Sequence, residues 1–334
     1  MKLASVFVYE FVTGGGSGTQ PTGSMLAEGA AMLQAVVADF AEVADLVYIL
    51  WDERLPRDLV KLPANVGLQS VDDKVSESLA FVRTAAQSEK TLLIAPETAN
   101  LLRFRTAILT GMGRPLFSPP EKFIEATADK NQTAELLTTA GVRMPRGRKF
   151  EFTESWPPPD LDYPFVLKPA DGCGSDHVFL MTTLNDPGPQ LTAGTWRVEE
   201  FKPGLPASIA VLCGPKQLVP LAATKQRLSN DGRFTYFGGE LPLSTNLQQR
   251  AENLALAALA ALPPANGYVG IDLILGDATD GSDDYVIEIN PRLTTSYIGL
   301  RQHYKTNLAA AMLQVIAGEP CVLEVAQDFV SFSV

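Results

Sequence analysis

Residues 286–292 read Val-Ile-Glu-Ile-Asn-Pro-Arg, a strand pattern in which polar side chains interrupt an apolar run. Glu288 and Asn290 are two positions apart, so both point to one face of the strand. Asp272 interrupts a second apolar run, residues 268–275, in the same way. Three oxygen donors on adjacent strands suit Mg²⁺, which keeps part of its coordination shell for phosphates. The alternative is that Asp272 and Glu288 only face water, but a carboxylate buried without a partner is costly, and this favours the metal.

A glycine-rich segment lies upstream, between two short β-rich runs in residues 164–181. The pattern predicts an antiparallel hairpin. Lys168 ends the first strand, where its ammonium can meet phosphate oxygens, and the N–H groups of Gly172, Gly174 and Ser175 can cover those phosphates. Taken alone, such a hairpin is more often a simple turn, so this interpretation depends on the acidic residues downstream.

The first third of the chain alternates apolar strands with helical periods, as in residues 3–9, 73–87 and 91–95. This alternation predicts an α/β unit, a parallel sheet with helices on its faces. Two adjacent prolines in residues 118–120 indicate a boundary. From Tyr163 onward the pattern changes to hairpins, which predicts an α+β arrangement for the rest of the chain.

The composition limits the partners of the protein. Its 334 residues include 27 Lys+Arg and 38 Asp+Glu, so the net charge is 27 − 38 = −11, which argues against general nucleic-acid binding. The most apolar stretch, residues 254–262, is about half as long as a membrane span and runs into two prolines. Three scattered cysteines show neither zinc spacing nor a disulfide framework, so we expect a cytoplasmic protein without a membrane partner.

Two further segments are candidates for substrate binding. Gly14, Gly15 and Gly16 join the first strand to the first helix, where a turn can bind an anion, although a surface loop is an equal alternative. The spacing does not fit a dinucleotide-binding turn, so a carboxylate or amine substrate is the better interpretation. Five residues after the metal strand are expected to line an acceptor pocket, with the arginine able to hold a carboxylate: Thr294, Thr295, Ser296, Tyr297 and Arg301.

The order of these motifs along the chain resembles the ATP-grasp superfamily of carboxylate–amine ligases. The resemblance covers nearly the whole chain and rests on six pieces in order: Asp129-Lys130, residues 166–169, the glycine hairpin, residues 198–201, Asp272 and residues 288–292. Three further segments, residues 9–16, 94–97 and 290–297, resemble one branch of that superfamily, the tyramine–glutamate ligases of methanofuran-type cofactor synthesis.

The resemblance implies an ATP-grasp fold with a Rossmann-like pre-ATP-grasp domain in residues 1–117, a lid lobe in 118–200 and a metal-binding lobe in 201–334. It implies ATP and Mg²⁺ or Mn²⁺ as cofactors. The implied nucleotide contacts are Lys130 and Lys168 on phosphates, the glycine loop over them, and Glu199, Glu200 and Phe201 at the adenine. The implied metal ligands are Asp272, Glu288 and Asn290. Arg292 would face the transferred phosphate, and Lys225 is a weaker candidate that is equally consistent with an exposed strand edge.

The reaction that the resemblance implies has two steps. A substrate carboxylate attacks the γ-phosphate of ATP, and an amine then displaces phosphate from the acyl phosphate. Such chemistry depends on positioning and charge stabilisation, which fits a sequence with only two histidines. We expect glutamate and an aromatic amine, tyramine or a tyrosine-like compound, as substrates and a homodimer as a possible assembly. The alternatives are a ligase for other small acids and amines, or a non-catalytic nucleotide-binding domain.

Overall fold

The computed structural model describes residues 2–151, 162–172, 174, 177–184, 186 and 194–334. Ser175, predicted above to cover phosphates, lies outside the described residues, and so does Cys173. Within this part of the chain the helices are α1 (Gly23–Val43), α2 (Lys74–Gln87), α3 (Leu101–Gly111), α4 (Glu121–Ala128), α5 (Lys130–Thr139), α6 (Thr245–Ala260), α7 (Tyr297–His303) and α8 (Leu308–Ala317).

The N-terminal sheet is parallel, as the strand and helix alternation predicts. Its strands are β1 (Leu3–Glu10), β2 (Ala44–Asp52), β3 (Val66–Val71) and β4 (Lys90–Ile94), in the order β3-β2-β1-β4. Period-two alternation along β1 gives each face its own core: Val6 and Val8 pack with α1, whereas Phe7 and Tyr9 pack with the side of α2 and α3. The α/β prediction for this part of the chain is therefore confirmed.

A small antiparallel sheet follows, built from β5 (Gly147–Glu151), β6 (Phe165–Pro169), β7 (Phe179–Met181) and β8 (Thr195–Glu200) in the order β5-β8-β6-β7. The predicted hairpin is confirmed, because β6 and β7 pair antiparallel with Phe165 opposite Met181. Asp129 caps α5 by accepting hydrogen bonds from the N–H groups of Asn131 and Gln132, which places Lys130 at the first helical position beside this sheet.

A seven-stranded antiparallel sheet completes the fold. Its strands are β9 (Leu205–Cys213), β10 (Leu218–Pro220), β11 (Thr224–Leu228), β12 (Tyr236–Leu241), β13 (Gly267–Leu275), β14 (Tyr285–Asn290) and β15 (Val330–Ser333). The order is β14-β13-β9-β11-β12-β15, with β10 paired to β9. The sequence predicts one strand over residues 218–224, and the structure shows two, since Leu221, Ala222 and Ala223 leave the ladder between β10 and β11.

Helix α1 joins the N-terminal unit to the large sheet. It packs against β1 and β2 on one side and against α7 and α8 on the other, within one continuous apolar core. By length and composition it could span a membrane, with a mean hydropathy of 1.2 in its most apolar window, but half of that window is buried in the fold. Its apolar residues are therefore accounted for by the core. The most apolar long helix is thus α1 and not the segment 254–262 considered above.

Candidate active site

A cleft of about 240 Å³ lies between the small sheet and the large one. The small sheet contributes Val166 and Lys168, and the chain leaving β8 contributes Glu200 to Lys202. The large sheet contributes residues of β11, β13 and β14. One end of the cleft is charged and the other is mainly apolar, which is the form that a nucleotide requires because its phosphates and its base differ in polarity.

The charged end is centred on a pair of carboxylates. Asp272 on β13 stands opposite Glu288 on β14 in the strand register. Asn290 donates a hydrogen bond of 3.0 Å to one oxygen of Asp272, and Gln226 donates one of 2.9 Å to the other. Burial and the negative charge of Glu288 raise the pKa of Asp272 to about 6. The structure therefore brings together the three predicted metal ligands and adds Gln226, which the sequence does not reveal.

The donor set is compatible with a hard divalent cation bound together with phosphates. Two carboxylates and one amide oxygen fill only part of an octahedral shell, and Mg²⁺ commonly completes its shell with water and substrate oxygens. Among the residues that the structure describes, no group of three or more His, Cys, Asp and Glu side chains is placed to hold a metal on its own. A cation here would therefore depend on the nucleotide for its remaining ligands.

Two buried lysines border the carboxylate pair. The Nζ of Lys130 lies 3.0 Å from an Oε of Glu288, and it also donates to the carbonyl of Gly172 at the hairpin tip. The Nζ of Lys168 lies 3.4 Å from the carbonyl oxygen of Ile287. The two ammonium groups thus reach across the seam between the small and the large sheet. Both line the cleft, as does Gly174, and their charges can offset those of phosphates.

The side chain of Glu199 does not have the position expected for an adenine contact. One of its oxygens is 2.5 Å from Nζ of Lys168, and the other is 2.6 Å from Nε of Arg197. All three side chains are almost completely buried. Because both carboxylate oxygens already bind cations, Glu199 holds Lys168 in place instead of meeting a base edge. Arg197 and Glu199 are two positions apart on β8, so their side chains lie on the same face of the strand. This spacing is the signal in the sequence that could have revealed the Arg197–Glu199 ion pair.

The apolar end of the cleft suits a flat ring. Phe201 and Phe234 stack with ring centroids 6.4 Å apart and planes 16° apart, and Val166 and Ile287 line the same cleft. The N–H groups of Glu200 and Phe201 donate to backbone carbonyls of other segments. A base bound here would therefore use the carbonyl oxygens of this segment, as acceptors for an exocyclic amino group.

Arg292 connects the metal strand to the N-terminal unit. Its Nε lies 3.0 Å from an Oε of Glu97, which follows β4 at the carboxyl edge of the parallel sheet. Both side chains are largely buried, and Arg292 lines the cleft beside Glu288. Ligands of open α/β sheets bind at this edge. Glu97 holds Arg292 at the cleft, and periodicity in the sequence does not reveal this ion pair.

Three of the predicted site residues lie elsewhere. Arg301 donates two hydrogen bonds to Asp39 of α1, and the hydroxyl of Tyr297 donates to the same carboxylate at 2.6 Å. Their prediction as acceptor-pocket residues is wrong, because α7 directs them to α1 and away from the cleft. Lys225 lies 3.5 Å from Glu240 and is half exposed, while its neighbour Gln226 faces the cleft. Since β11 is an inner strand, Lys225 is neither a cleft residue nor on a sheet edge.

The remaining predictions for substrate binding divide in the same way. Thr294, Thr295 and Ser296 line the cleft next to Arg292. The Gly14 to Gly16 turn does not, because it folds inward over the end of β1. A Cβ at Gly14 would be 2.6 Å from the carbonyl oxygen of Glu10, and one at Gly16 would be 2.4 Å from the ring of Phe11. These glycines serve a close backbone approach, so their prediction as substrate ligands is not supported.

Replacing Lys168 with methionine should weaken ATP binding by roughly tenfold or more, because the phosphates lose a buried cation. Arg197 remains to pair with Glu199, so the fold should survive. Titration of the variant with ATP would measure the effect. Lys149, which is exposed and pairs with Glu151, provides the matched control as Lys149→Met. Equal ATP affinity in the two variants would mean that Lys168 is only a structural partner of Glu199.

Comparison with known proteins agrees with this geometry. The ATP-grasp domain family matches residues 127–296, which is half of the chain. The chain is 24% identical to the tyramine–L-glutamate ligase of Methanocaldococcus jannaschii over 292 residues, covering 87% of this chain and 83% of that one. It is 26% identical to the tyramine–L-glutamate ligase of Methanocaldococcus fervens over 279 residues, covering 83% and 84%. A crystal structure of an ATP-grasp superfamily protein from Archaeoglobus fulgidus superposes with a TM-score of 0.72 at 23% identity, covering 99% of this chain and 98% of that one.

The chain belongs to the ATP-grasp family. It has the ATP-grasp fold expected from its motifs, and it is an ATP-dependent carboxylate–amine ligase, similar to the tyramine–glutamate ligase branch.

Proposed function

We propose that the protein joins L-glutamate to tyramine, or to a closely related aromatic amine, in the synthesis of a methanofuran-type cofactor. The observation that carries this proposal is the charged end of the cleft, where Asp272 and Glu288 face Lys130, Lys168 and Arg292. The identity of the two substrates is supported by the similarity to the two tyramine–L-glutamate ligases over more than four fifths of the chain.

In the proposed reaction a glutamate carboxylate attacks the γ-phosphorus of ATP and ADP leaves, giving an acyl phosphate. The amine nitrogen then attacks the acyl carbon, inorganic phosphate leaves, and the ammonium-derived proton is released as the amide forms. Lys130 and Lys168 would hold the phosphates, and Arg292 would stabilise the charge on the transferred group. Asp272, Glu288 and Asn290 would hold Mg²⁺, which supplies further neutralisation of phosphate charge when bound. The chain requires no nucleophile of its own.

The decisive experiment measures ADP release and analyses the products by mass spectrometry. We expect ADP release in the presence of Mg²⁺, glutamate and tyramine, together with a product whose mass equals their sum minus one water. Little ADP should form when either substrate is omitted. Turnover with a different acid and amine would replace this substrate assignment but keep the ligase chemistry. Tight ATP binding without turnover on any amine would reject the catalytic proposal.

A further inference from the structure

The turn that follows β4 contacts both walls of the cleft. It comprises residues 97–100, at the carboxyl edge of the parallel sheet, and it leads into α3. The carboxylate of Glu97 pairs with Arg292, which follows β14 of the large sheet. The N–H group of Ala99 donates a hydrogen bond of 3.0 Å to Asp171, which lies in the glycine hairpin of the small sheet. This turn of the N-terminal unit therefore connects Arg292 to the hairpin.

The backbone of the turn has an unusual conformation. Ala99 has a φ of 53° and Asn100 a φ of 59°, in the left-handed region that residues other than glycine seldom occupy. Two backbone hydrogen bonds close the turn: from the N–H of Asn100 to the carbonyl of Glu97 at 3.1 Å, and from the N–H of Leu102 to the carbonyl of Pro96 at 3.0 Å. Strained backbone of this kind is common at active sites, where the surrounding structure requires it. The closed turn gives Glu97 a fixed position.

The ion pair between Glu97 and Arg292 fixes the direction of the guanidinium group. The Nε atom of Arg292 lies 3.0 Å from one oxygen of Glu97, and the Nη2 atom donates to the other oxygen at 3.4 Å. The carboxylate thus contacts the guanidinium along one edge, which sets the orientation of its plane. Because Glu97 is only 4% exposed, the solvent screens this pair weakly.

A guanidinium released from Glu97 would have other carboxylates within electrostatic reach. Arg292 lines the cleft together with Asp272 and Glu288. Burial and the charge of Glu288 raise the pKa of Asp272, and the charge of Arg292 offsets part of this rise. The released guanidinium would be attracted to this carboxylate pair, since opposite charges attract strongly where water is scarce. It would then compete with a cation for the pair and leave the transferred phosphate.

We propose that Glu97 is a positioning residue, which holds Arg292 away from the Asp272–Glu288 pair and directs it to the transferred phosphate. The inference rests on the proposed ligase function, and it adds a residue that acts through Arg292 instead of contacting a substrate. Because the same turn also binds Asp171, it sets the position of Arg292 relative to the hairpin that covers the phosphates. The N-terminal unit thereby contributes to the reaction.

The test is a double-mutant cycle of Glu97→Gln and Arg292→Gln, measured as ADP release with glutamate and tyramine. We expect Glu97→Gln to lower kcat about 10- to 100-fold, as for a misplaced catalytic group, with the KM for ATP changed less than about threefold. In the Arg292→Gln background the same change should lower kcat less than about twofold, because Glu97 acts through Arg292. A merely structural residue would lower kcat by the same factor in both backgrounds.

The Mn²⁺ affinity of the ADP-bound protein gives a readout that needs no turnover. Electron paramagnetic resonance should show weaker Mn²⁺ binding in Glu97→Gln, because the released guanidinium competes with the cation for Asp272 and Glu288. The double variant has no guanidinium at this position, so its affinity should return to near the wild-type value. Glu121→Gln is the matched control and should behave as wild type, since Glu121 also pairs with an arginine, Arg103, at 3.2 Å but on a partly exposed surface.

Two substitutions at Ala99 test the turn separately. Ala99→Gly should keep kcat near the wild-type value, because glycine adopts a positive φ without strain. Ala99→Val should lower kcat and the Mn²⁺ affinity as Glu97→Gln does, because a β-branched residue disfavours this conformation. Ala99 is exposed, so no core contact is changed. Both variants keep the buried ion pair, and they therefore test the inference even if Glu97→Gln proves unstable in thermal unfolding.

The results that would overturn the inference leave the ligase function intact. They are near-native kcat in Glu97→Gln or Ala99→Val, equal losses of kcat in the two backgrounds of the cycle, or an unaltered Mn²⁺ affinity in Glu97→Gln. Wild-type protein that releases no ADP with any acid and amine would instead reject the proposed function. In that case the Mn²⁺ comparison would still decide whether Glu97 holds Arg292 away from the carboxylate pair, so the two failures are distinct.

Discussion

Glu288→Gln should lower the turnover number by at least about a hundredfold while leaving the fold intact. Glutamine keeps the size of the side chain and can still accept a hydrogen bond from Lys130, which lies 3.0 Å from Glu288. It removes one of the two negative charges that face each other across β13 and β14. A neutral amide is a much weaker ligand for a hard divalent cation, and loss of one electrostatic contact in an active site commonly costs factors of about 10² to 10³.

The measurement is the rate of ADP release at saturating ATP, glutamate and tyramine, with thermal unfolding to check the fold. A second readout is the Mn²⁺ affinity of the ADP-bound protein, followed by electron paramagnetic resonance, which should fall in the variant. Glu240→Gln is the matched control, because Glu240 is also a strand glutamate near a lysine, Lys225, but lies outside the cleft. Near-native turnover in Glu288→Gln, or an unaltered Mn²⁺ affinity, would contradict the assignment of Glu288 as a metal ligand.

The parts of the site that depend on strand periodicity were predictable from the sequence. Asp272, Glu288 and Asn290 interrupt apolar runs. Because side chains alternate between the two faces of a strand, the position of each polar residue in its run predicts the face on which it lies. Likewise, Lys168 precedes a glycine tip, and the structure confirms the β6–β7 hairpin. The parallel arrangement of the N-terminal sheet also follows from the alternation of strands and helices, whereas the strand order β3-β2-β1-β4 was not predicted.

The parts that depend on helix packing were not predictable in this way. Arg301 and Tyr297 follow the metal strand closely, yet α7 turns them toward Asp39, which is more than 250 positions away in the sequence. In the same manner, Glu28 lines the cleft and Glu97 pairs with Arg292 only because α1 and the edge of the parallel sheet pack against the large sheet. The periodicity of apolar residues along the sequence does not indicate contacts of this kind, because tertiary packing decides which face of a helix meets which neighbour.

Asp272→Asn should abolish most of the turnover and yet raise the stability of the protein without ligands at neutral pH. Burial and the charge of Glu288 raise the pKa of Asp272 to about 6, so the folded protein without ligands holds a carboxylate in an unfavourable place. Asparagine removes that charge. The hydrogen bonds from Asn290 and Gln226 can be kept if one of these amides turns its oxygen toward the new NH₂ group. We expect the midpoint of thermal unfolding at pH 7.5 to rise by roughly 3 °C.

The raised pKa of Asp272 determines how the difference in stability between the wild-type protein and Asp272→Asn changes with pH. A carboxyl group with a raised pKa binds its proton more tightly in the folded state than in the unfolded state, where the pKa is about 3.9. Between about pH 4 and pH 6 the folded protein therefore binds more protons, and its stability relative to that of Asp272→Asn should fall as the pH rises through this window. Above about pH 7, where Asp272 is ionised in both states, the difference should be constant. Unfolding scans of both proteins from pH 4.5 to 8 would measure it, using roughly half-unit steps that resolve a transition of this width.

Adding Mg²⁺ and ADP should reverse the order of stability at pH 7.5. The wild-type protein gains binding energy from a cation held between Asp272 and Glu288, whereas the asparagine variant gains less, and ligand that binds only the folded state raises its stability by mass action. At pH 5 the wild-type gain should shrink, because protonation of Asp272 competes with the cation. If Asp272→Asn were instead less stable than wild type without ligands at pH 7.5, its carboxylate would be a structural partner of neighbouring groups, and the metal site would have to lie elsewhere.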